Sequence, residues 1–245
     1  MHTVIRWIIL GLVLSSICST GAVQGQEKRI VLVDFGTTQP LVPPGWELVV
    51  TKGTPRLELI REGAGQALRL QSTNASFALQ CKVNVDLSET PYLVWEWKVT
   101  QLPTGGDFRR RRTDDQAAQL IVAFSPWHFI TYIWDSTVPQ GTVGKAPAPP
   151  FRKIRALVVR SGSQELGTWL TERRNLVEDY KRLFGKTPKT IRGIRIQINS
   201  QHTRSRAEAL WRSIMLVGGA ASWPIARETR PPELAIAASP PREGR

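Results

Sequence analysis

The sequence predicts an all-β fold, an antiparallel β-sandwich of jelly-roll type that carries one short helix. Three observations predict it: short β-rich runs broken by turn residues from Ile30 onward, strict alternation in Tyr92-Leu-Val-Trp-Glu-Trp-Lys-Val99, and a single stretch of helical spacing at residues 176–184.

Taken in order, strands are expected at Ile30 to Phe35, Glu47 to Thr51, Arg56 to Arg61, Ala67 to Gln71, Phe77 to Gln80 and Val83 to Asp86. Leu57 and Leu59 alternate with Arg56 and Glu58; Leu93, Trp95, Trp97 and Val99 alternate with Val94, Glu96 and Lys98. Such strands bury one face, which assigns Trp95 and Trp97 to the core. Leu120 to Phe124 and Phe129 to Trp134 are apolar with little interruption, and Ile121, Ala123 and Ile130 within them predict middle strands covered on both sides. Pro147, Pro149 and Pro150 mark an irregular link before a strand at Ile154 to Arg160. The helix has Asn175 and Glu178 in a capping-box-like start, Leu176, Tyr180, Leu183 and Phe184 on one face, and Gly185 and Pro188 as its stop. It is expected to pack against a sheet edge. Strands at Ile191 to Ile198, with Ile194, Ile196 and Ile198 inward, and at Leu210 to Val217 complete the fold.

Residues 1–25 read as a secretory signal peptide: Arg6, an apolar run from Trp7 to Leu14, then small residues through Ala22. The run falls short of the roughly 20 apolar residues a bilayer span needs. The mature chain is therefore expected in the periplasm or secreted, with no transmembrane segment. Residues 26–223 should form a single β-sandwich domain, and residues 224–245, rich in Pro, Ala, Arg and Glu without periodicity, a disordered tail. Cys18 leaves with the signal, so Cys81 has no disulfide partner and is expected as a small buried hydrophobe at a strand start. The formal charge of +13 loses only Arg6 with the signal, leaving +12. An exported chain of that charge meets anionic head groups, acidic glycans and cell-wall polymers rather than nucleic acid, and the spread of the charge predicts a solvated basic surface.

Several chemistries drop out. The mature chain has only His128, His202 and one cysteine, too few for a Cys-rich zinc site or a His-Glu-x-x-His helix. Gly141-Thr-Val-Gly144-Lys145 is too short for a phosphate loop, and Ala146 stands where a hydroxyl should hold magnesium; it reads as a loop with two glycines. No Gly-x-Ser-x-Gly elbow occurs.

What remains is a group of carboxylates. Asp107, Asp114 and Asp115 lie on one loop beside Glu96, and three readings fit them: an acid/base pair on a polysaccharide, calcium ligands together with backbone carbonyls, or a turn neutralised by Arg109 to Arg112. The third is the simplest. No cofactor other than calcium is indicated. Of the eight tryptophans outside the signal, Trp127, beside Pro126 and His128, is the candidate exposed platform for a sugar face.

The blocks Tyr92-Leu-Val-Trp-Glu-Trp-Lys-Val99, Leu102-Pro103, Asp114-Asp-Gln-Ala-Ala118, Ile130-Thr-Tyr-Ile-Trp134, Gly167-Thr-Trp169, Glu172-Arg-Arg-Asn175, Asp179-Tyr180 and Phe184-Gly185, with Asp107, occur in one order over Phe35 to Val217. In this the chain resembles the bacterial exported family known as domain of unknown function 3047. The resemblance implies a β-sandwich similar to carbohydrate-binding modules and brings no catalytic residue with it. Family members often carry an Asp-rich turn after the penultimate strand, where this chain has Asn199-Ser-Gln-His202. The expected function is a non-catalytic binding module for an envelope glycan or other anionic polymer, with Asp107, Asp114, Asp115, Trp127 and Glu96 as ligand-binding residues. Two alternatives stand beside it: a polysaccharide-acting enzyme using Asp114 or Asp115 with Glu96, and an envelope assembly protein docking by a sheet edge.

Overall fold

The strands in chain order are β1 (Arg29–Asp34), β2 (Trp46–Lys52), β3 (Arg56–Glu62), β4 (Gly65–Thr73), β5 (Ser76–Asp86), β6 (Tyr92–Gln101), β7 (Ala118–Ala123), β8 (His128–Asp135), β9 (Val143–Lys145), β10 (Lys153–Ser161), β11 (Leu170–Asn175), β12 (Thr190–Asn199) and β13 (Arg206–Val217), with the helix α1 (Leu176–Phe184) between β11 and β12. They come from a computed structural model that describes residues 28–219 apart from 38, 39 and 64. The expected signal peptide and tail lie outside the described residues. Among those residues, no helix is long and apolar enough to cross a membrane.

Two sheets form a mostly antiparallel sandwich. The six-stranded sheet runs β11-β6-β13-β4-β3, with β1 also on β13; the seven-stranded sheet runs β2-β5-β12-β7-β8-β10-β9. Among the described residues, only β8 and β10 pair in parallel. β13 is long enough to carry β4 along Arg206–Trp211 and β1 along Ser213–Val217. As a result Arg29 lies opposite Val217, and Gly218 N donates to Lys28 O at 2.9 Å.

Alternation decides the core. Leu93, Trp95, Trp97 and Val99 of β6 and Trp211 of β13 meet Leu120, Tyr132, Trp134 and Ile196 of the facing sheet, all fully buried. Trp97 is the hub: its ring centroid is 5.5 Å from Trp95, 5.5 Å from Trp211 and 6.0 Å from Trp134. Its indole N–H donates to Glu172 at 3.2 Å, and Glu172 is held by Arg160 from the opposite sheet at 2.7 Å. The aromatic content is thus mainly core, as rings of that size dominate burial energy.

The helix forms as its ends predict. Asn175 Oδ1 accepts from Val177 N and Glu178 N, and Gly185 takes the left-handed conformation at φ 69° that a side chain would resist. Beside the edge strand β11, α1 stacks Tyr180 on Phe124 (4.6 Å) and Phe184 on His128 (4.9 Å), closing one end of the sandwich. Asp179 accepts from Tyr132 at 2.9 Å and pairs with Arg174, which ties the helix to the core.

Four expectations need correction. β5 runs unbroken through the expected gap at Cys81, so the cysteine sits mid-strand; burial pushes its thiol up to about 11, leaving it inert. The two-glycine loop contains a short edge strand, β9, and Gly144 leaves room for Phe108, whose ring atoms would lie within 3.0 Å of any Cβ there. β11 escapes notice because its sequence, Leu-Thr-Glu-Arg-Arg-Asn, is mostly polar and charged, as suits a sheet edge. Finally, the middle strands of the seven-stranded sheet are not covered throughout. Phe108 and Val138 close over Ile133, Ala156 and Val158, but Ile121 and Ala123 floor an open groove.

Candidate functional site

The groove lies on the outer face of the seven-stranded sheet, encloses about 500 Å³ and crosses the strands. Period-2 alternation that sends isoleucines of β12 inward sends Arg195, Gln197 and Asn199 outward into it. Cross-strand register then assembles a row: Glu47 of β2, Gln80 of β5, Arg195 of β12, Ile121 of β7, Thr131 of β8 and Ala156 of β10. On one side of it runs Gln197, Gln119 and Ile133; on the other, Gly193, Ala123 and Phe129. Gly193 has no side chain and Ala123 only a methyl, so space opens beside the Phe129 ring. Arg152, from the link between β9 and β10, places its guanidinium 5.6 Å from that ring.

Polar groups here are only partly satisfied. Arg195 Nη1 donates to Gln80 Oε1 at 3.2 Å, but its buried Nε has no partner. Thr131, only 4% exposed, has a buried hydroxyl with no partner either. Burial lowers the Arg195 pKa, and the nearby positive Arg152 lowers it further. Gln80 also donates to Glu47 at 2.6 Å, and Gln119 to Asn199 at 2.7 Å.

The loop between β6 and β7 borders one end. Gly106 lets the chain turn tightly there, since a Cβ would come within 2.3 Å of Asp115 O. Asp135, at the end of β8, accepts from Phe108 N, Thr137 N and Val138 N at 2.8–3.0 Å and anchors the loop, although burial holds its pKa above the usual range. Asn199 is the second anchor. Its Oδ1 accepts from Gln116 N at 2.9 Å while its Nδ2 donates to Asp114 O at 2.6 Å.

The five residues singled out from sequence separate. Asp107 turns to its own arginines: Arg109 grips it bidentately at 2.8 and 2.9 Å, Arg110 approaches to 3.6 Å, and the Arg109 hydrogen bond leads in holding its pKa low. Asp115 is fully buried and accepts from Thr203 N (2.6 Å), Thr203 Oγ1 (2.8 Å) and His202 (3.2 Å), fastening the turn after β12. Of the three aspartates, Asp114 lines the groove, and burial raises its pKa to about 6. Glu96 is on the other sheet, accepting from Thr171 at 3.3 Å. Trp127, 54% exposed, stands one position before β8, where the row of Phe129 and Thr131 begins. Among the described residues no three metal-ligating side chains cluster.

Sequence reasoning passed over Gln80, Gln119, Arg195, Gln197 and Thr131. Their outward phase was readable strand by strand; that they share one surface was not, because their strands pair out of sequence order.

No curated protein matches the sequence. Among solved structures, the family 11 carbohydrate-binding module of cellulase Lic26A-Cel5E from Clostridium thermocellum is 11% identical over 80% of this chain and 97% of that one, with a TM-score of 0.43. The endoglucanase Cel12A from Rhodothermus marinus is 9% identical over 78% and 98%, also at 0.43. A xyloglucanase domain of NopAA from Sinorhizobium fredii is 12% identical over 71% and 93%, again at 0.43. The model of the family described as protein of unknown function (DUF3047) matches residues 44–215, from the turn before β2 to near the end of β13, and the chain belongs to that family.

Proposed function

We propose that this protein is an exported, non-catalytic binding module that holds an envelope glycan or other anionic polymer along the groove of its seven-stranded sheet. The groove itself is the observation that carries this reading. It joins an apolar floor at Ile121, Ala123 and Phe129 to a set of carboxamides, Gln80, Gln119 and Gln197. Carboxamides both donate and accept, as sugar hydroxyls require, and an aromatic ring with open space beside it suits the apolar face of a pyranose. Trp127, exposed one position before β8 and outside the groove lining, offers a second ring to a longer chain.

Binding rather than cleavage is supported by the disposition of the acids. A glycosidase places two carboxyl groups across the scissile bond. Here Asp107 is spent on arginines, Asp115 on the 203 turn, and Glu96 belongs to the opposite sheet; of the two carboxylates that line the groove, Glu47 accepts from Gln80 and Asp114 from Gln116. A direct test is affinity electrophoresis and calorimetry of the protein against soluble glycans. Gln119→Ala together with Gln197→Ala should weaken binding about tenfold, two neutral hydrogen bonds being worth about 1–3 kcal/mol. Trp127→Ala should weaken binding to long chains several-fold with an unchanged melting temperature. Binding that survives all three changes would place the ligand elsewhere.

A further inference from the structure

We propose that Arg195 and Thr131 form a carboxylate subsite on the groove floor, and that the glycan bound there contains hexuronic acid. This rests on the binding reading above and narrows its ligand. Both residues belong to one cross-strand row, separated only by Ile121. Strands about 4.8 Å apart put their backbones about 10 Å from one another, a gap that one acidic sugar bridges, its carboxylate on the guanidinium and a ring or hydroxyl oxygen on Thr131 Oγ1.

Charge makes the case specific. Arg195 stands on an interior strand of its sheet, half-buried, with the neutral carboxamide of Gln80 as its hydrogen-bond partner and, among the described residues, no carboxylate paired to it. The charge that acts on it is another cation, Arg152, whose side chain lies against the Phe129 ring. A part-buried cation beside a second cation is unfavourable unless an anion arrives. Arg160 and Arg174, two other half-buried arginines, each grip a buried carboxylate. A guanidinium presents a planar fork that matches a carboxylate, and the free Nε is the inner tine of that fork. The hydroxyl of Thr131 and the carboxamides of Gln119 and Gln197 then serve the neutral oxygens of the same sugar.

The experiment is calorimetry on the full mature chain with hexamers of galacturonate, glucuronate and mannuronate, their methyl esters, and neutral cellohexaose. The ester keeps the ring and removes the charge. At least one hexuronate should bind about tenfold or more tightly than its ester, and Arg195→Gln should abolish that preference while Arg195→Lys keeps part of it. Thr131→Val should lower affinity for acid and ester alike, a check that remains if Arg195→Gln misfolds. Equal affinity for acid and ester, or a preference that survives Arg195→Gln, overturns the subsite. Binding of cellohexaose alone overturns the subsite and leaves the groove reading standing; binding of none of the probes overturns both.

Discussion

The outer faces of the two sheets follow the same alternation and treat charge in opposite ways. On the six-stranded sheet, Arg69 pairs with Glu58, Lys98 with Glu62, and Glu208 accepts from both Gln71 and Thr100. Arginines without an acid lie on rings: Arg173 is 3.6 Å from Tyr92 and Arg212 4.0 Å from Trp169. The charges on that face find partners within the molecule, although the buried indole N–H of Trp169 has none. On the seven-stranded sheet, Arg195 and Thr131 keep unpartnered buried atoms in a groove. A net-basic chain can therefore have one side whose charge is consumed internally and another whose charge is held for something else, a distinction that total charge does not reveal.

The largest effect comes from removing what both faces share. Trp97→Ala should cost about 3–5 kcal/mol, read in denaturant unfolding, because the ring contacts both sheets. Next, the comparison itself can be broken by neutralising one charge on each side. Glu62 is held below its usual pKa chiefly by its hydrogen bond to Lys98, and Lys98 is only 8% exposed. Glu62→Gln leaves that amine underpaired and should destabilise by about 1–3 kcal/mol, whereas Arg195→Gln should leave the melting temperature unchanged or raised. Equal losses would erase the distinction between the faces.

A pH series sharpens it. Asp114 titrates near 6 in the folded chain against an ordinary 3.8, chiefly through burial, with Gln116, His202, Asp115 and Asp135 as neighbours. Below about 3 it is protonated both folded and unfolded; as pH rises from there to 6 the unfolded chain releases its proton first, so this group's contribution to stability falls and then levels. Asp114→Asn should consequently be more stable than the parent at pH 7 by about 1–2 kcal/mol, the full shift discounted for partial exposure, and equal to it at about pH 3. The smallest change is expected at Arg69→Ala, an exposed pair worth under about 1 kcal/mol.

How far the sequence reached depended on the range of the contact. Trp95 and Trp97 follow from alternation alone, and α1 from its own caps. Asp107 was legible because Arg109 and Arg110 lie within three residues. Asp115 was not, for its partners at 202 and 203 belong to a distant turn. Glu96 was misleading in the opposite way: close to Asp107 in sequence, it is separated by the crossing of the chain between sheets after β6. The groove row draws one residue from each of six strands, and no local pattern announces that β12 inserts between β5 and β7. The apolar outward residues Ile121 and Ala123 did signal something unusual, but the same signal serves a covered sheet and a groove floor.

The pairing of Arg29 with Val217 has a practical side. Whatever precedes Lys28 and whatever follows Gly219 departs from adjoining points on the six-stranded sheet. A linkage made through either end therefore attaches the molecule at the same place, the β1–β13 pairing of the sheet that does not carry the groove.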